Sequence, residues 1–143
     1  MKLLIAVLGL FTFSFTIQSQ SIPEGTDGIE LTTTLADSAL FESTLSFLED
    51  EGFGIEIADE DQGSIVTDYK TTQGSRIRIL ATIENSVVLF KGQGAQEGVS
   101  TSEALTTLSS ATELARTGFI RFNEVINRYA KTLDQATVEY ILP

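Results

Sequence analysis

The chain has 143 residues, with 9 basic against 20 acidic side chains, a net charge of −11, and neither histidine nor cysteine. Those two absences exclude disulfides, Ser-His-Asp and Cys-His triads, histidine zinc sites and cysteine nucleophiles, which leaves carboxylates, Lys, Tyr, Ser and Thr for any catalysis. The acidity argues against nucleic acid or an anionic membrane as partner, because both call for a basic surface.

Met1-Lys2 is a short positive start, Leu3 to Ile17 an almost unbroken apolar run, and Gln18-Ser19-Gln20-Ser21 a small polar end. This three-part layout is that of a secretory signal peptide over 1–21. The run is shorter than the ~20 residues a membrane-spanning helix needs, so no stable membrane anchor is expected. A lipoprotein leader would also require a cysteine. Export without disulfides favours a bacterial periplasm or the cell exterior. The remaining 22–143 is long enough for one domain with its own core.

Ser21 to Gly28 reads as an extended leader to the first strand, Ile29 to Leu35, whose apolar and polar residues alternate. Asp37 is placed to cap a helix over Ser38 to Glu51, with Leu40, Phe41, Leu45 and Leu48 as its stripe and Gly52 as its stop. Glu49, Asp50 and Glu51 stand at the end of the helix dipole that prefers cations. Short strands follow. Phe53, Ile55 and Ile57 alternate, Ala58 to Gly63 is an acidic turn, and Ser64 to Lys70 and Arg76 to Ile83 read as an antiparallel pair. With Thr71 to Ser75 as the loop, Lys70 faces Arg76, Asp68 faces Arg78 as a cross-strand ion pair, and Ile65 faces Ala81.

Val66 and Leu80 then point away from the apolar face of Ile65, Ile77 and Ile79. The register of Val87 to Lys91 is ambiguous by one residue, so either Val88 and Phe90 or Val87 and Leu89 join them. The candidate binding residues are Val66, Leu80 and Phe90, an apolar sheet face of the kind that often marks an interface.

Gly92 to Gly98 reads as a flexible loop. Its three glycines lack the Gly-Lys-Ser/Thr ending of a phosphate loop. Val99 to Ala115 fits either a helix or a strand. Phe119, Phe122, Val125 or Ile126, Tyr129 and Leu133 define a helix over Thr117 to Leu133, and Thr137 to Leu142 is an edge strand or a helix ending. Asp59-Glu60-Asp61-Gln62-Gly63 begins like a calcium loop, but Gly63 stands fifth and Lys70 twelfth, where the motif needs Asp or Asn and glutamate. A hairpin turn accounts for those residues.

Leu45 and Leu48, then Gly52-Phe53-x-Ile55, Asp59, Gly63-Ser64-Ile65-Val66-Thr67-Asp68 and the strand Arg76 to Ile83 together resemble the small domains of the outer-membrane-assembly lipoprotein BamC and of other exported bacterial proteins. The resemblance implies helices on one face of an antiparallel sheet and action through contacts. The expected fold is α+β, an antiparallel meander sheet of four to five strands with two helices packed on one face. Core positions are Leu31, Leu45, Leu48, Phe53, Ile55, Ile65, Ile77, Ile79, Phe122, Ile126 and Tyr129. The expected function is a non-catalytic, cofactor-free interaction module of the cell envelope, with another envelope protein as partner. The alternative is a small-ligand or lipid binder that uses Phe119, Phe122 and Tyr129 between the last helix and the sheet.

Overall fold

The computed structural model describes residues 22–72, 75–96, 106–109 and 113–143. The expected leader, 1–21, lies outside the described residues, as do the end of the expected glycine-rich loop, 97–98, and 99–105 and 110–112 of the stretch whose conformation the sequence leaves open. The chain order is β1 (Gly28–Thr32), α1 (Asp37–Asp50), β2 (Ile55–Asp59), β3 (Ser64–Thr67), β4 (Lys70–Thr72), β5 (Ser75–Glu84), β6 (Val87–Gln96), β7 (Thr106–Thr107), α2 (Glu113–Thr132) and β8 (Thr137–Ile141).

All strands join one antiparallel sheet in the order β2-β3-β5-β6-β1-β8, with β4 alongside β5 and β7 alongside β6. The α+β class is as expected, but the sheet is wider than four to five strands. The first strand is not at an end. β1 sits between β6 and β8, so segments far apart in sequence meet there. Hydrophobic alternation marks strands but carries no information about which strand lies beside which.

One face of the sheet holds the core. Ile29 pairs with both Phe90 and Tyr140, Leu31 with Val88, and Ala81 with Phe90, so these residues share a side. Both helices pack on that side. From α1 it receives Leu40, Phe41, Thr44 and Leu48, and from α2 Phe119, Phe122, Val125, Ile126 and Tyr129, all buried. The Tyr129 ring stands edge-on to Phe90 at 6.1 Å, and its hydroxyl lies 2.9 Å from Thr44 Oγ1 and 3.0 Å from Ser43 Oγ, which ties α2 to α1 and the sheet. Of the predicted core, Leu45 and Ile55 are only half-buried and the others are buried.

Four local expectations are corrected. Asp37 does not cap α1; Ala36 occupies that position without a side-chain bond. The Asp37 carboxylate instead accepts the backbone N–H groups of Asn85 and Ser86, at 3.2 and 2.7 Å. Those two residues form the β5–β6 turn, with φ of 53° and 65°, the paired left-handed geometry that suits a tight hairpin. The second correction concerns the hairpin register. Ile65 faces Ala81 as predicted, but Lys70 faces Ile77 rather than Arg76. The chain slips by one residue at Asp68-Tyr69, where the buried Thr67 hydroxyl accepts the Ile79 N–H at 2.9 Å in place of a backbone carbonyl.

The third correction follows from that slip. Arg78 pairs with Glu56 at 3.1 Å, not with Asp68. The fourth is the glycine-rich run, whose first part is strand rather than loop, since β6 continues to Gln96. Leu108 fills a hollow between β6 and α2, and a Cβ on Gly92, Gly94 or Gly118 would approach its methyl groups to 2.7, 2.6 and 2.7 Å. Those glycines give close approach rather than flexibility.

Candidate functional site

The opposite face of the sheet carries no described helix. Its composition follows from the register. Ile57 pairs with Val66 and Val66 with Leu80, which places three apolar side chains in one row across β2, β3 and β5. Leu80 pairs with Lys91, and in the next row Thr82 pairs with Leu89 and Leu89 with Glu30. Val66, Leu80 and Leu89 are half-buried, and Ile57 is 48% exposed.

Two of the predicted binding residues, Val66 and Leu80, are therefore brought together. The third is not. Phe90 is fully buried on the core face, paired with Ile29 and Ala81, so the one-residue ambiguity resolves in favour of Val87 and Leu89. The reason lies in the partner strands. Phe90 opposite Ile29 and Tyr140 completes an apolar layer that the helices cover, whereas Leu89 opposite Glu30 suits a wet face.

Ile57 is the residue that sequence reasoning missed. Simple alternation puts it on the same side as Ile55. A register shift between them sends Ile55 toward the core and Ile57 to the outer face. The bulge at Glu56 also aims that carboxylate at Arg78, whose Nε donates to Gln93 Oε1 at 2.7 Å. The Arg76 and Arg78 guanidinium groups lie 5.4 and 5.1 Å from the centre of the Tyr69 ring, within cation–π range.

The alternative site has a different character. Phe119 and Phe122 are fully buried and meet edge-on at 5.5 Å, and Tyr129 is 1% exposed with Phe47 at 4.7 Å and Phe90 at 6.1 Å. These rings make their contacts with the chain's own core. The acidic turn is similarly occupied. Asp59 Oδ1 accepts the Gln62 N–H at 3.0 Å, and Gly63 supplies the positive φ of 62° with its carbonyl accepting the Ile83 N–H at 2.7 Å. No group of three or more possible metal-ligating residues occurs among the described residues. Among them, too, no helix is long and apolar enough to cross a membrane.

The acidic end of α1 is resolved by cations from elsewhere. Arg128 of α2 makes a two-pronged contact with the Glu51 carboxylate at 3.0 and 2.8 Å, and the Lys70 ammonium donates to the Glu51 carbonyl. The hydrogen bond from Arg128 holds the Glu51 carboxyl below its ordinary range, and the same contact raises Arg128. No basic residue lies in the last turn of α1, so tertiary structure supplies what that helix lacks locally.

No protein-family model matches the chain, and a search of curated proteins finds no significant match.

Proposed function

We propose that this protein is a non-catalytic, exported interaction module of the bacterial cell envelope, which acts through protein contacts on its open sheet face. The observation that carries this reading is the apolar row Ile57, Val66 and Leu80, extended by Leu89, on a sheet face that no described helix covers. Aliphatic side chains left half-wet in the middle of a sheet are a standing cost in solvation, which a partner surface would remove. The leader residues 1–21 support export, and the absence of histidine and cysteine supports a role in binding rather than chemistry near neutral pH. A BamC-like role through contacts is consistent with helices gathered on one side and a face that no described helix covers on the other.

The test is affinity capture from native envelope extract with the protein tagged at its C-terminus, against a Leu80→Asp variant whose folding is verified by circular dichroism. Loss of a specific partner in the variant supports the reading. Identical partners with both baits would remove the open face from the function.

A further inference from the structure

The two ends of the sheet are guarded differently. At one end, β2 is broken by the bulge at Glu56 and carries the charges of Glu56 and Asp59. Bulges and charges of this kind keep an edge from pairing with another chain. At the other end, β8 runs in unbroken register with β1, from Thr32 opposite Thr137 to Gly28 opposite Ile141. Its five residues are mostly β-branched or aromatic, with neither lysine nor proline. No described strand lies on its far side.

The backbone groups left open there follow from the ladder. The Ile141 carbonyl accepts the Asp27 N–H at 3.0 Å, and the Thr33 N–H donates to the Ser86 carbonyl at 2.9 Å. Bonded positions alternate along an antiparallel strand, so odd-numbered residues of β1 bond to β6 and even-numbered ones to β8. Glu139 and Ile141 therefore turn their backbone groups toward β1, and Val138 and Tyr140 present theirs outward. Apolar side chains flank those groups. Of the three large apolar residues exposed among the described residues, Leu142 at 55% and Ile120 at 40% belong to this edge. Leu142 follows Val138 and Tyr140 onto the helix side by alternation. Ile120 lies one helical turn before Asn123, whose Oδ1 accepts the Tyr140 hydroxyl at 3.0 Å.

We propose that β8 pairs antiparallel with β8 of a second copy of the chain, about a two-fold axis that is perpendicular to the sheet and passes beside Tyr140. In that register Tyr140 faces its own copy, Val138 faces Leu142 and Glu139 faces Ile141. Outward backbone groups then meet outward backbone groups, and one sheet runs through both chains. The pairing covers Leu142 and brings Ile120 of each copy toward the axis. Centring on Glu139 would set that carboxylate against its own copy, and like charges directly opposite are destabilising. Centring on Val138 would leave Leu142 exposed. One short strand from each copy makes less than a standard interface, so a dissociation constant of roughly 10–100 µM is expected.

The experiment is sedimentation velocity on the full chain, expressed in bacteria and purified in its naturally processed form, over roughly 1–500 µM at physiological salt. A monomer–dimer equilibrium is expected. Leu142→Asp, at an exposed position, should raise its dissociation constant roughly tenfold or more. Ile141→Glu puts like charges opposite Glu139 of the copy, and Ile141→Lys opposite ones, so the lysine variant should dimerise roughly tenfold more tightly than the glutamate variant. Leu80→Asp, on the open face, should leave the dimer unchanged. Hydrogen exchange gives a second readout. The amides of Val138 and Tyr140 should slow as concentration rises, while those of Glu139 and Ile141, already bonded to β1, should not change. A wild-type monomer across the range overturns the proposal, as does a dimer that Leu142→Asp leaves intact or that Leu80→Asp dissolves. Val138 and Tyr140 amides equally protected in dilute solution would show that the chain itself covers the edge, and would also overturn it. Capture of an envelope partner through Leu80 is independent of each of these results, so the dimer can fail while the proposed function stands.

Discussion

Residues 80 and 81 are neighbours in β5 and belong to different environments. Ala81 is 1% exposed, opposite Phe90 and Ile65 and beneath the helices. Leu80 is half-buried, between Val66 and Lys91 on the side that no described helix covers. The smaller, less hydrophobic residue is the buried one. Burial on a sheet is decided by which side the helices cover, and size at a buried position by the space left beneath them. Under the proposed function, a partner surface is what covers Leu80 on that side.

The contrast between the faces can be broken by substitution. Ala81→Asp should be the most damaging change, because it buries an unpaired carboxylate; a loss of more than about 4 kcal/mol is expected, visible as failure to fold or a collapsed urea midpoint. Leu80→Asp one residue away should cost less than about 1 kcal/mol in the same assay. Comparable losses from the two would mean that the outer face is covered after all. Phe122→Ala should cost about 3–5 kcal/mol, since it empties a fully buried ring position where α2 meets the sheet. Tyr129→Phe keeps the ring packing and removes only the hydroxyl shared with Thr44 and Ser43. About 1 kcal/mol is expected in equilibrium unfolding.

The smallest effect concerns pH. The Glu51 carboxyl is depressed in the folded protein, so its pairing with Arg128 contributes stability above the ordinary value near 4.5 and loses it as pH falls through the lower folded value. Glu51→Gln should therefore be less stable than wild type near neutrality by under about 1 kcal/mol, because Arg128 is half-exposed. The two urea midpoints should converge as pH drops below that range. A gap unchanged at acid pH would show that the ion pair contributes nothing.

Much of the fold was legible from local pattern. The stripes Leu40, Phe41, Leu48 and Phe119, Phe122, Ile126, Tyr129 identify both helices and the faces they bury. The pairing of Ile65 with Ala81 follows from alternation about the turn. The candidate site was legible in two of its residues. Phe90 was assigned to the wrong side because Val87 to Phe90 is apolar at consecutive positions, and a strand of that kind has no preferred face until its neighbours are known. Ile57 was hidden by a bulge, which reverses alternation without an obvious mark in the residues around it.

The glycines and acids show the same division. Gly92 and Gly94 are commonplace as loop residues, and only the approach of Leu108 explains them as strand positions. Glu51 is misplaced by the local rule for helix ends, and only Arg128 and Lys70, brought from α2 and β4, make it favourable.

By itself, the sequence determined the two helices and most of the strands, that both helices present one apolar face, and that histidine and cysteine chemistry is excluded. Those properties depend on periodicity and composition, which are carried within a few residues of one another. Strand order and the side on which Phe90, Leu89 and Ile57 lie were decided only in the tertiary structure. Each depends on contacts between segments far apart in the chain, where a shift of one residue exchanges the buried side for the exposed one.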